Sequence, residues 1–143
     1  MSEIPWTYVS RLMSAAANAA EERALTVAIA VTDRDGAPIG SLRMPGVPPL
    51  LGHIALAKAY SAASLRRDTD ELAALEREKP SLAAAAGELG DHPLISTGGG
   101  VVIRDGKDIV AAIGISGGTA EQDIDIAKAA MGAHPVGAWV KAT

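Results

Sequence analysis

The stretch VVIRDGKDIVAAIGIS, residues 101–116, decides the predicted fold because it has the pattern of a β-hairpin. Two apolar, β-branched runs flank Asp105-Gly106, and an Asp-Gly pair in that position favours a tight turn between strands. A second stretch, VTDRDGAPIGSLRM at residues 31–44, places Asp35-Gly36 between apolar runs in the same way. We therefore expect two hairpins that share one mostly antiparallel sheet.

Helical patterns surround both hairpins. Apolar residues recur at helical spacing over residues 5–23 and 50–67, and one or two short helices are expected between residues 68 and 93. Thr119 and Gln122 have the spacing of a capping box, which predicts the start of a last helix. Residues 134–140, HPVGAWV, fit a short strand or an extended tail. The element order predicts an α+β fold, with helices packed on the sheet.

The bulk composition excludes several classes of protein. The chain has 143 residues, a net charge of −4, no cysteine and only two Trp and two Tyr as aromatic residues. The lack of a basic patch argues against nucleic acid, and the lack of cysteine excludes disulfides and thiolate zinc sites. The sequence also lacks the pattern of a signal peptide or a membrane span. We expect one cytoplasmic domain, residues 1–143, that gains stability by self-association.

Two glycine-rich segments bracket the later hairpin. Gly98, Gly99 and Gly100 precede its first strand, and Gly117 and Gly118 follow its second strand. Because the two ends of a hairpin lie side by side, both segments are expected beside the start of the last helix, whose free N–H groups favour anions. One hypothesis is a ligand site here, with hydroxyls from Thr97 and Ser116. The alternative is that the glycines serve only tight turns and close helix packing.

Four charged or titratable residues are further candidates. His53 follows the proline-rich loop PGVPPL, residues 45–50, and is a candidate haem ligand or general base, although a surface role is the simpler interpretation. Arg43 is suited to an anionic ligand, or to a salt bridge with Asp33. Lys58 and Asp123 are candidate proton-transfer groups, but Asp123 also suits a helix N-terminus. No local spacing of ligands predicts a metal site.

Three segments together resemble the GlcG-type family, which also includes a haem-binding protein and the C-terminal domain of PduO-type proteins. They are AVTDRDGAPIGSLRM, ALAKAYSAA and STGGGVVIRDGKDIVAAIGISGGTAEQDIDIAKAAM. The resemblance runs from about Trp6 to Met131, and it implies a profilin-like α/β sandwich with a central antiparallel sheet of about five strands. It also implies homo-oligomers from dimer to octamer, haem or another tetrapyrrole as a candidate ligand, and gene clusters for small-molecule catabolism.

This chain departs from the family pattern after Arg43-Met44. The usual Asp-Gly-Ala is replaced there by the loop PGVPPL, and no axial haem ligand maps onto a family motif. Two functions follow as hypotheses: an accessory or sensor protein that binds haem, another tetrapyrrole or a carboxylated metabolite, or a cofactor-free isomerase, hydratase or lyase acting on a small carboxylated metabolite. A structural oligomer without a ligand is a third.

Overall fold

The computed structural model describes residues 4–137, and its elements follow the predicted order. Five helices and four strands make up this part of the chain. In chain order they are α1 (Trp6–Glu22), β1 (Ala28–Asp33), β2 (Pro38–Arg43), α2 (Pro49–Leu65), α3 (Leu72–Glu78), α4 (Pro80–Leu89), β3 (Gly100–Asp105), β4 (Asp108–Ser116) and α5 (Ala120–Ala133).

The strands form one antiparallel sheet in the order β2-β1-β4-β3. The two hairpins therefore pair through their inner strands, β1 and β4. The described residues contain four strands rather than about five. The segment expected as a last strand or tail, residues 134–140, begins a helical turn at Val136, and the rest of it lies outside the described residues. Pro135 favours this outcome because proline suits a first helical turn and cannot donate to a strand ladder.

Helices cover both faces of the sheet, which confirms the α/β sandwich. Helix α2 packs across one face, and α1 and α5 pack on the other. The strand register separates large residues from small ones. Ile29 and Val31 lie opposite Ile115 and Ile113 in the main core, whereas Ala30 lies between Ser41 and Gly114 on the neighbouring strands.

The face of the sheet that carries small residues lets α2 approach it closely. Ala55, Ala59, Ala62 and Ala63 of α2 are all fully buried. A Cβ atom at Gly114 would overlap the carbonyl oxygen of Ala55. The alanine-rich pattern of this helix is thus explained by backbone-to-backbone packing, which larger side chains would prevent.

Side-chain hydrogen bonds stabilise the ends of two elements, and the first set confirms the predicted capping box. The Thr119 hydroxyl accepts from the Gln122 N–H, and the Gln122 side chain accepts from the Thr119 N–H, so the capping box forms. Asp33 serves its turn, because its Oδ1 accepts N–H groups from Asp35 and Ala37. Over residues 4–137, none of the helices has the length and apolarity needed to cross a bilayer.

Candidate functional site

The two glycine-rich segments lie side by side at the end of the later hairpin, beside the start of α5. The Ile115 N–H donates to the Gly99 carbonyl at 2.9 Å, and the Gly118 N–H donates to Oδ1 of Asp123 at 2.9 Å. Gly99 and Gly117 have φ angles of +126° and +148°, which favour glycine. The sequence therefore predicted this proximity correctly, and the binding role assigned to these residues stays a prediction.

Protein atoms occupy the space around the first of these segments. A Cβ atom at Gly98 would lie 2.6 Å from the Ile124 side chain, and one at Gly99 would lie 2.7 Å from the Ile115 carbonyl oxygen. Gly100 faces the Lys58 carbonyl of α2 in the same way. Of the neighbouring candidates, Thr97 is exposed and its carbonyl accepts the Thr69 hydroxyl, whereas Ser116 is buried at the end of β4. Close packing is thus a sufficient reason for the glycine run.

A buried ion pair joins three elements at this point. The Lys58 Nζ of α2 lies 3.1 Å from Oδ2 of Asp123 in α5, and it also donates to the Ile115 carbonyl of β4 at 2.9 Å. The two side chains are 4% and 3% exposed. Each charge therefore has its partner inside the protein, and both side chains are almost fully shielded from solvent. This arrangement can hold α2, β4 and α5 together.

A groove outside this region has the shape of a ligand site. It lies between the edge strand β2 and the first turns of α2, and its volume is about 570 Å³. Pro38, Ile39, Leu42, Pro49 and Leu56 supply its apolar walls. Volumes of roughly 300–1,000 Å³ with apolar walls and a few polar groups are typical of small-molecule sites.

Two of the predicted residues, His53 and Arg43, line this groove together with Ser41. Both are exposed. Arg43 does not pair with Asp33, because it lies opposite Ala28, at the other end of β1 from Asp33. Its Nη1 donates instead to the Val47 carbonyl at 2.5 Å, within the proline-rich loop. The described residues give the His53 imidazole no hydrogen-bond or ion-pair partner. The groove therefore presents one imidazole and one guanidinium beside an apolar surface.

The candidates thus divide between two places. Lys58 and Asp123 are buried beside the glycine segments, whereas His53 and Arg43 line the groove. Sequence reasoning missed the apolar lining of the groove and Gly52, which lines it on the α2 side. The available signal in the sequence was Ile39, a large apolar residue of the first hairpin. The structure leaves 41% of it exposed at the groove.

Two relatives show how far the sequence similarity extends. The chain is 31% identical over 127 residues to the corrinoid adenosyltransferase PduO of Salmonella typhimurium, covering 89% of this chain and 38% of that protein. It therefore spans about two fifths of that relative's length. It is also 34% identical to an uncharacterised 15.0 kDa protein from the dhaT-dhaS intergenic region of Citrobacter freundii, covering 80% of this chain and 83% of that protein.

A solved structure and a family model extend the comparison to the fold. The structure, a PduOC:haem complex, superposes with a TM-score of 0.81 at 27% identity, covering 92% of this chain and 95% of that one. The family model, described as haem degrading protein HbpS-like, matches residues 4–132. With the four-stranded sandwich and the relatives in agreement, the chain belongs to the HbpS-like family.

Proposed function

We propose that this protein binds haem or a closely related tetrapyrrole in the groove between β2 and α2, as an accessory or sensor protein. The observation that carries the proposal is the His53 imidazole, which is exposed and unpartnered within residues 4–137 and lies beside apolar walls. The family description and the haem complex of a structural neighbour support the ligand class.

The residues of the groove fit such a ligand. Neutral imidazole nitrogen is a common axial ligand of haem iron. His53 lies in the second turn of α2, a rigid element that fixes its position relative to β2. The walls are proline and branched aliphatic side chains, which offer apolar contact to a flat ring without aromatic stacking. The volume of about 570 Å³ is large enough for most of a porphyrin, and the rest would face solvent.

Each part of the groove then has a separate role. His53 would hold the iron, the β2 and α2 side chains would exclude water from one face of the ring, and Arg43 would pair with a peripheral carboxylate. Bound haem would supply an iron whose axial positions and redox state suit sensing or transfer. The alternative is a cofactor-free enzyme that uses His53, Lys58 or Asp123 to move a proton. It gains less support from this geometry, because Lys58 and Asp123 are buried and paired with each other, and neither lines the groove beside His53.

The first prediction concerns His53. Titrating haemin into the wild-type protein should give a saturable shift of the Soret band, and His53→Ala should weaken binding by about tenfold or more, since one metal–ligand bond is lost. His134→Ala is the matched control, because His134 lies at the end of α5 and lines a different groove. Equal affinity and an equal Soret shift in wild type and His53→Ala would contradict the proposed site.

We also propose that the chain forms homo-oligomers. Helix α4 has no buried residue, and two of its leucines, Leu82 and Leu89, are 55% and 88% exposed to solvent. Exposed apolar side chains grouped on one short helix are typical of contact surfaces. Native mass spectrometry should detect dimers or larger species, and Leu82→Glu with Leu89→Glu should shift them toward monomer. The proposal would be contradicted if the wild-type protein stayed monomeric at a protein concentration of about 50 μM.

A further inference from the structure

The charge of the groove differs from that of the whole chain. The protein carries a net charge of −4, yet the residues that line the groove include Arg43 and His53 and no Asp or Glu. An apolar site lined by a guanidinium and no carboxylate favours a ligand that is apolar and anionic.

Arg43 is held in a position that leaves it available to a ligand. Its Nη1 donates to the Val47 carbonyl, which uses one of the five N–H donors of the guanidinium. Arg23 and Arg66 pair with Asp125 and Asp35, but no Asp or Glu among residues 4–137 forms an ion pair with Arg43. The remaining donors form a planar fork that matches a carboxylate.

The proline-rich loop supplies this arrangement. Val47 is 3% exposed, and its N–H donates to the Met44 carbonyl at 3.2 Å, so the loop is anchored to the core where it accepts from Arg43. Arg43 is the last residue of β2 and pairs with Ala28 of β1, which fixes its backbone as well. The loop of residues 45–50 is therefore the element that orients the guanidinium.

We propose that Arg43 makes the groove selective for tetrapyrroles with free carboxylates, such as ionised propionates, over those whose carboxylates are esterified or amidated. This inference rests on the proposed function, because it assigns the ligand class of the same groove. The charge-assisted hydrogen bonds from Arg43 form with a carboxylate and are weaker with a neutral ester. His53 would contact the iron rather than the carboxylates, so the two contributions can be separated.

Iron-free porphyrins separate Arg43 from iron ligation. Protoporphyrin IX and its dimethyl ester would be titrated in the same mild detergent, with binding followed by porphyrin fluorescence. The wild-type protein should prefer the diacid by roughly three- to tenfold, as expected for one exposed charge-assisted pair. Arg43→Gln should reduce this preference to about one, because it should lower the affinity for the diacid much more than the affinity for the ester. Added salt should reduce the preference in the wild type, because it screens the exposed charges.

Arg104→Gln is the matched control. Arg104 is also an exposed strand arginine whose Nη1 donates to a nearby carbonyl, that of Lys107, but it lies in the other hairpin. This variant should keep the wild-type preference. An equal affinity of the wild type for diacid and ester, or an unchanged preference in Arg43→Gln, would overturn the selectivity while leaving haemin binding through His53 intact. Failure of wild type to bind either porphyrin or haemin would overturn both proposals.

Discussion

Gly114→Ala is expected to destabilise the protein by about 3 kcal/mol or more, because it forces the sheet and α2 apart. A Cβ atom at residue 114 would overlap the Ala55 carbonyl oxygen and lie 2.8 Å from the Ala59 nitrogen. Both are backbone atoms of one helix, so no side-chain rotation relieves the overlap. Urea unfolding followed by circular dichroism would measure the loss.

Gly132→Ala is the control for this substitution. Gly132 lies within α5, and a Cβ atom there would have no neighbour within 4 Å. Alanine is favoured over glycine in a helix by about 1 kcal/mol, so this variant should be as stable as the wild type or slightly more stable. If the two variants unfolded at the same urea concentration, the claim that α2 packs closely on the sheet at Gly114 would be wrong.

Lys58→Met is expected to cost about 3–5 kcal/mol, because it leaves the Asp123 carboxylate buried without its counter-charge. The Gly118 N–H would still donate to Asp123, but a single hydrogen bond replaces little of the lost attraction. The Ile115 carbonyl would lose its donor as well. The free energy of unfolding in urea, at neutral pH, measures this effect.

A double variant separates the interaction energy of the Lys58–Asp123 pair from the effects of losing each side chain alone. Lys58→Met combined with Asp123→Leu should be less destabilised than the sum of the two single variants, because no isolated charge remains. The exposed pair between Arg23 and Asp125 is the control, and Arg23→Gln should cost about 1 kcal/mol or less. Additive effects of the Lys58 and Asp123 variants would show that the two charges do not interact in the folded protein.

The elements of the fold were predictable because their signals are local. Asp105 ends β3 and Gly106 begins the two-residue turn to β4, and Thr119 with Gln122 forms the expected cap. Predicting the two hairpins required only the alternation of turn residues and apolar runs along the sequence. The secondary structure of residues 134–140 was harder to predict, since a short apolar run beside a proline fits a strand, a tail or a helical turn.

The partners of the candidate residues were not predictable from the sequence. Lys58 and Asp123 are 65 positions apart, and their contact depends on how α2 and α5 meet at the end of β4. The groove likewise arises where the first turns of α2 run beside an edge strand. Sequence spacing places His53 near a helix start, but it does not show that Arg43 lies across the same groove.

The most direct test of the proposed site is a crystal structure of the protein grown with haemin. The proposal predicts the ring in the groove between β2 and α2, with the iron bonded to the imidazole of His53 and a propionate beside Arg43. Haem seated instead at residues 97–100 and 116–118, or iron ligated by another side chain, would contradict the central claim.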